Sequence, residues 1–398
     1  MAGKLTVLIG PNGYGKTTYL NEYKSKLINS GVPETDILFL ESEIKLLDEV
    51  KDTVDTSQTM EYLLSELIET SEYLAKRDEM YLEADKAIAK SVGALNGIVD
   101  EVLGVNGSTR SKDFITPNPK KRAVKGLVAI NQLDVKNKMG SGQRMRLLLM
   151  FARNSKKRHV ILDEPEKYSH PSFLNGTAMA INELVSAGKD VIIATHSPKL
   201  VSMLELDYDS ILIINDATHT AKPIPFDDAV ANALRVYNTG MLPAANKRYY
   251  VSGASLKDCL SRRHGRAFIE SLFTRRVYLC EGANDELFVN ECLRQLGGFY
   301  GDYCVVKAWS KFNLPAFIAL YQQLGIEIAV LFDVDNEQKL EHKTANGAIR
   351  TLAGSSVRLI EFNPCLEKEI GYSGDKPDAM RFMDHVEGIA LSAKYKLV

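Results

Sequence analysis

Residues 5–18 read LTVLIGPNGYGKTT. An apolar run, a turn carrying Gly10, Gly13 and Gly15, and then Lys-Thr-Thr give a strand, a tight loop and the start of a helix. The spacing from Gly10 to Gly15-Lys16-Thr17 fits G-x-x-x-x-G-K-[ST]. Glycines let successive backbone N–H groups wrap a phosphate, and a helix N-terminus favours its negative charge. Gly10, Asn12, Gly13, Gly15, Lys16, Thr17 and Thr18 are the candidate nucleotide-binding residues. Lys16 is expected to reach the β- and γ-phosphates of ATP, and Thr17 to hold Mg²⁺.

Two later segments extend this reading. His159–Pro165 reads HVILDEP, an apolar strand ending in two carboxylates. Asp163 is expected to orient Mg²⁺ through water, and Glu164 to polarise the attacking water. Val191–Ser197 reads VIIATHS, which puts His196 at a buried strand's end, in reach of a γ-phosphate. Strands are expected at Leu5–Ile9, Ile37–Leu40, Val160–Leu162, Val191–Ala194 and Ile211–Asn215. A second series is expected at Val277–Cys280, Cys304–Lys307, Ala329–Phe332 and Val357–Glu361. Most are continuous apolar runs, as parallel strands covered on both faces require, and helical patterns separate them. The fold class is α/β throughout.

The second series carries different chemistry. Val277–Glu281 reads VYLCE, followed by Gly282 and Asp285; Leu331–Asp335 reads LFDVD. Glu281 therefore ends one apolar strand, and Asp333 and Asp335 end another. Carboxylates gathered at neighbouring strand tips repel one another unless a divalent cation compensates, and hard oxygen donors suit Mg²⁺ or Mn²⁺. Either motif alone also fits ordinary helix capping.

Between the two series the chain changes character. Residues 43–103 are rich in Leu, Glu, Lys and Ala, with Leu63, Leu64, Leu67 and Ile68 at helical spacing, and 104–120 read as a loop. We expect a helical insertion over about 43–125, either packed on its own domain or projecting as an arm. Residues 217–275 read as a partly helical, basic connector.

These segments, in this order, resemble an ABC-type ATPase. GPNGYGKT, DEPEKYSHP and ATHSP are similar to the ATPase domain of the OLD (overcoming lysogenization defect) family and its RecF/SMC-like relatives. Met139–Leu147 reads MGSGQRMRL, where that family carries its signature; Gly140 stands in the place of the signature serine. The resemblance assigns nucleotide contacts across a dimer interface to Ser141 and Gly142, and implies a homodimer or higher oligomer. Gln58 and Gln132 are both candidates for the Q-loop. The E-G-x-x-D-E and D-x-D pair resembles the Toprim domain of topoisomerases, DnaG-type primases and OLD nucleases, over about residues 275–398. The resemblance adds Asp285 to the metal set, and FNPCLEKEI and DKPDAM carry the roles of a further acid and a lysine to Glu367 and Lys376. Trp309-Ser310-Lys311 is assigned no role. A topoisomerase would need a tyrosine nucleophile on a DNA-gate domain; Tyr249 and Tyr250 are present, without such a domain.

The expected organisation is an ATPase domain over 1–216, the connector over 217–275 and a Toprim domain over 276–398. The implied function is ATP- and divalent-metal-dependent cleavage of DNA, with RNA as another substrate class, in anti-phage defence or DNA processing, alone or with a further defence-system protein. The alternative is an ATP-dependent sensor or scaffold whose Toprim domain binds nucleic acid or a partner without cutting. Two stretches are basic enough to meet a phosphate backbone. Arg110–Lys125 carries six basic side chains against Asp113, and Lys257–Arg276 carries six against Asp258 and Glu270.

Bulk properties narrow the class. In 398 residues, 49 Lys+Arg nearly balance 51 Asp+Glu, which excludes a uniformly basic nucleic-acid coat but not a local groove. The five cysteines form no CxxC pair, which fits a reducing compartment and argues against a disulfide framework. No charged leader precedes an apolar run, and no 18-residue apolar stretch occurs. A cytoplasmic setting without membrane contact is expected.

Overall fold

A computed structural model describes residues 2–41, 67, 81–105, 113–117, 128–130, 139–167, 173–214, 220–237, 250–297, 303–374, 378–390 and 395. The chain forms two compact units. The first comprises Met1–Leu8, Asn12–Ser210 and Ala217–Thr220; the second comprises Ile9–Pro11, Ile211–Asp216 and Ala221–Val398. No helix among the described residues is long and apolar enough to cross a membrane.

In chain order the first set of elements is β1 (Leu5–Ile9), α1 (Lys16–Asn29), β2 (Ile37–Leu40), α2 (Tyr81–Leu103), β3 (Ile115–Pro117), β4 (Val128–Ile130), α3 (Ser141–Asn154), β5 (His159–Asp163), α4 (Leu174–Ser186), β6 (Asp190–Thr195) and α5 (Pro198–Val201). The sheet runs β2-β5-β6-β1, with β2, β5 and β6 parallel. Val160, Ile161, Leu162 and Val191 to Ala194 are all buried, so these strands have no solvent face and read as unbroken apolar runs. Helix α1 packs on β5 and β6, and α3 packs against both α2 and α4. The register sets Asp163 opposite Ala194, so β5 and β6 end side by side.

The expected insertion is partly described: α2 lies within it, and Leu67 is helical, while 42–66 and 68–80 lie outside the described residues. The stretch read as a loop contains β3, which pairs antiparallel with β4. A three-residue strand carries no legible alternation. It is fixed instead by Asn96 of α2, 1% exposed, whose Nδ2 donates to the Ile115 carbonyl at 2.8 Å and whose Oδ1 accepts from the Ile115 N–H at 3.0 Å.

The second set is β7 (Ile211–Ile213), β8 (Lys222–Pro223), α6 (Phe226–Val236), α7 (Gly253–Cys259), α8 (Gly265–Ser271), β9 (Arg276–Cys280), α9 (Ala283–Gln295), β10 (Tyr303–Lys307), α10 (Leu314–Gln323), β11 (Glu327–Asp333), α11 (Leu340–Ala353), β12 (Arg358–Phe362), α12 (Leu366–Glu369) and α13 (Ala379–Glu387). A four-stranded parallel sheet runs β10-β9-β11-β12. One core cluster joins Tyr278, Cys280, Ala329, Leu331 and Phe362 of the sheet to Phe288, Val289 and Cys292 of α9 and Phe382 of α13. Leu314 to Tyr321 of α10 are all buried, as in a helix covered on every side; it packs against α6 and α11. Helices α6 to α8, within the stretch read as a connector, belong to this unit.

Candidate functional site

The phosphate loop has the backbone its sequence demands. Gly13 and Gly15 adopt φ of 83° and 85°, the left-handed region that glycine enters without steric cost. A Cβ on Gly10 would fall 2.3 Å from the Ile214 carbonyl oxygen, so only glycine fits there. Lys16 opens α1 and is 6% exposed. Burial lowers its pKa, against the opposing pull of Glu164, Asp163 and Glu166. Asn12, Thr17 and Thr18 are exposed along the loop. Thr17 Oγ1 donates to Asp163 Oδ2 at 2.7 Å, which brings together the two groups expected to hold Mg²⁺. Burial raises the Asp163 pKa, and the Thr17 bond opposes that rise. Ser141 and Gly142 begin α3, after Gly140, whose N–H donates to Gln143 Oε1 at 3.0 Å. Gln58 and Gln132 lie outside the described residues.

The strand ends of β5 and β6 bring three groups together. Glu164 has φ 49°, held by its N–H donating to the Ala194 carbonyl at 2.8 Å. Its Oε1 lies 3.2 Å from His196 Nδ1. Glu166, which sequence reasoning passed over, completes the group. Its Oε1 accepts from Thr195 Oγ1 at 2.6 Å and from the His196 N–H at 3.2 Å, and lies 3.6 Å from His196 Nδ1. Its Oε2 is buried with no hydrogen-bond partner among the described residues. The available signal was a third acid directly after Asp163-Glu164-Pro165.

A glutamine at 166 keeps the oxygen that Thr195 and His196 use and removes only the charge beside the imidazole. Glu166→Gln is expected to lower kcat for ATP hydrolysis by about fivefold, the scale of a charge interaction of roughly 1 kcal/mol. KM should stay nearly unchanged. Steady-state phosphate release checks both.

In the second unit Asp333, where β11 ends, lies beside Glu281 and Glu367. The Asp333 N–H donates to Glu281 Oε1 at 2.9 Å, and Asp333 Oδ1 accepts from the Leu366 N–H at 2.8 Å. Glu367, 9% exposed, accepts from Asn284 Nδ2 at 3.1 Å. Asp285, 7% exposed, has Oδ2 on the Gly282 N–H at 2.8 Å, so it also caps α9. Asp335 has φ 55°, and its Oδ2 meets Lys311 Nζ at 2.6 Å and His342 Nδ1 at 3.2 Å. Lys376 lies outside the described residues.

Two participants were not foreseen. Lys311 is 2% exposed; its ammonium bonds both the Asp335 carboxylate and the Asp333 carbonyl. A buried ammonium is tolerated only when paired in this way. The hydroxyls of Tyr237 and Tyr250 both donate to the Phe312 carbonyl at 3.4 Å, which fixes the turn carrying Lys311. Tyr250 is fully buried there, in a structural place; Tyr249 lies outside the described residues. The sequence signal was a cation leading into the apolar run Leu314–Leu320. Cys365 is the second: its sulfur and carboxylate oxygens of Asp333 and Glu367 all lie within 4.8 Å of one another. Among the described residues, the non-glycines with positive φ are Glu164, Trp309 and Asp335. Glu164 and Asp335 sit at these two sites, where strained backbone tends to be kept.

The donor set fits a divalent cation. Glu281 is pushed up to about 8, first by burial and then by the charges of Asp333 and Asp285, against the pull of Lys311. Without metal, this raised carboxyl favours the folded state fully below its ordinary value near 4.5, and that contribution is lost as pH rises through about 8. Thermal unfolding in chelator should show this decline, and Glu281→Gln should flatten it. Added Mg²⁺ should restore stability on the alkaline side, because the cation favours the ionised form.

Within the basic stretch over 257–276, three arginines are held in ion pairs. Arg262 meets Asp258 at 2.6 Å, Arg266 meets Glu270 at 2.7 Å, and Arg276 meets Glu327 at 2.5 Å. The basic side chains of the 110–125 stretch lie outside the described residues.

Comparison with known proteins bears on both units. Residues 19–201 match the family described as AAA ATPase domain. Residues 272–335 match the family described as overcoming lysogenization defect protein-like, TOPRIM domain. The Old nuclease of Escherichia phage P2 is 24% identical over 190 residues, covering 46% of this chain and 29% of the phage protein. The chain thus spans less than a third of that relative's length. Among solved structures, a bacterial ABC transporter cassette in dimeric form is 15% identical, covering 55% of this chain and 83% of the cassette at a TM-score of 0.31. The same cassette in a post-hydrolysis state with ADP and Pi gives the same values.

Proposed function

We propose that the chain is an ATPase–Toprim protein of the overcoming lysogenization defect type, and on that premise an ATP-hydrolysing, divalent-metal-dependent nuclease acting on DNA. The observation that carries the second half is the convergence of Glu281, Asp333 and Glu367, with buried Lys311 beneath them. A part-buried acidic cluster of this kind suits phosphodiester chemistry. Bound Mg²⁺ or Mn²⁺ would lower the pKa of an attacking water and offset charge on the leaving oxygen.

The chain's own residues prepare that site. Glu281 fixes the Asp333 backbone, and the Leu366 N–H and Asn284 orient Asp333 and Glu367. Lys311 holds Asp335 in its left-handed turn. Asp285 shares its charge between capping α9 and the metal site. Lys376 is the candidate to neutralise charge on the phosphate.

Lys16 and the loop amides would bind the phosphates of ATP, and Thr17 and Asp163 would hold Mg²⁺. Glu164 orients water, with His196 beside it. Ser141 and Gly142 would act on a partner's nucleotide, so a homodimer or higher oligomer is part of the proposal. So are a cytoplasmic setting and a role in anti-phage defence or DNA processing.

The test is a substrate panel of supercoiled plasmid, linear duplex, single-stranded DNA and RNA, incubated with Mg²⁺ or Mn²⁺, with and without ATP. Metal-dependent cleavage of a DNA member supports the proposal. Binding of DNA without any product, in protein that hydrolyses ATP, would favour the sensor reading instead.

A further inference from the structure

We propose that Cys365 is itself a metal ligand, and that its sulfur makes the site of the second unit take a thiophilic divalent cation, of the Zn²⁺ and Co²⁺ class, more tightly than Mg²⁺. The inference rests on the metal-dependent reading of that site and adds to it the identity of the favoured cation.

The geometry is built. Sulfur and carboxylate oxygens of Asp333, Cys365 and Glu367 lie within 4.8 Å of one another, close enough for one ion to meet all three. Cys365 and Glu367 stand two apart at the start of α12, and Leu366 between them donates its N–H to Asp333 Oδ1 at 2.8 Å. The preceding segment is tied along the end of β11. The Val334 N–H donates to the Phe362 carbonyl at 2.8 Å, and the Asp335 N–H to the Pro364 carbonyl at 2.7 Å. Asn284 turns Glu367 toward the group. The three donors are therefore held by backbone from two strands and a helix, not by chance approach on a surface.

A thiol that ligates a cation gives up its proton. The S–H bond breaks, its electron pair stays on sulfur and forms the sulfur–metal bond, and the proton leaves to solvent. No redox step is involved. Carboxylates alone suit Mg²⁺ and Mn²⁺; one thiolate in the set shifts preference toward Co²⁺ and Zn²⁺. The other cysteines are placed differently. Cys259, Cys280 and Cys292 are buried, and Cys304 faces the Ala267 carbonyl.

The test titrates the full chain with Co²⁺ and reads the near-ultraviolet thiolate-to-cobalt charge-transfer absorption, beside a Cys365→Ser variant. The wild type should show the band, and Cys365→Ser should lose it while binding Co²⁺ about tenfold or more weakly, a larger loss than for Mn²⁺. A parallel measurement on the wild type alone follows alkylation of each cysteine by mass spectrometry; saturating Co²⁺ should protect Cys365. Cobalt bound without the band, a band that survives Cys365→Ser, or alkylation of Cys365 unchanged by metal would each overturn the proposal and leave the carboxylate site standing. Failure of the wild type to bind either Co²⁺ or Mn²⁺ would overturn the proposal together with the metal-dependent reading beneath it.

Discussion

Asp333→Ala is expected to lower metal-dependent strand cleavage by about 10³-fold or more, on the scale of losing a main electrostatic contributor to a transition state. Asp333 is the node of the second site. Its N–H bonds Glu281, its Oδ1 takes the Leu366 N–H, and it faces Cys365 and Glu367. The substitution removes a donor and also releases the α12 segment that carries two others. The backbone bond to Glu281 survives it, and the buried strand β11 contributes Ala329 to Phe332 to the core in either case. The variant should therefore fold, and its ATP hydrolysis should stay within about twofold of wild type, since no group of the first unit's site is touched. Cleavage and phosphate release measured on one preparation check the prediction.

Glu164→Gln is expected to lower ATP hydrolysis by about 10²–10³-fold while nucleotide affinity changes little, the range for loss of a positioned base. Glutamine preserves the size of the side chain and the N–H bond to Ala194 that maintains the left-handed backbone. What is lost is the negative charge beside His196. Lys16, Thr17 and Asp163, which meet the phosphates and Mg²⁺ in the proposed mechanism, keep their places, including the Thr17–Asp163 bond. Nucleotide binding and turnover should separate cleanly: a variant that binds ATP and does not release phosphate. Loss of both together would place Glu164 in the architecture of the loop instead.

The fold was legible because its central strands are parallel and buried on both faces. Such strands leave unbroken apolar runs, and β5, β6, β9 and β11 stand within one or two residues of the runs that announce them. The short strands β3, β4 and β8 were not legible. β3 depends on a side chain of α2, and no local pattern encodes that contact. The carboxylates at strand ends were legible for the same reason as the strands: a charge that stops an apolar run marks the sheet's edge. The residues missed are those whose role is a distant contact. Lys311 matters through Asp335, Cys365 through Asp333, and Glu166 through Thr195. Each lies on a turn or helix start beside a motif, where spacing carries no information about what the fold brings near.

The most direct measurement is conversion of supercoiled plasmid to nicked or linear product in Mg²⁺ or Mn²⁺, by wild type and Asp333→Ala side by side, with ATP hydrolysis followed in the same samples. The expected result is metal-dependent product with wild type, none with Asp333→Ala, and phosphate release from both. Equal product from the two proteins, or no product from a wild type that binds metal and hydrolyses ATP, would contradict a nuclease centre at the ends of β9 and β11.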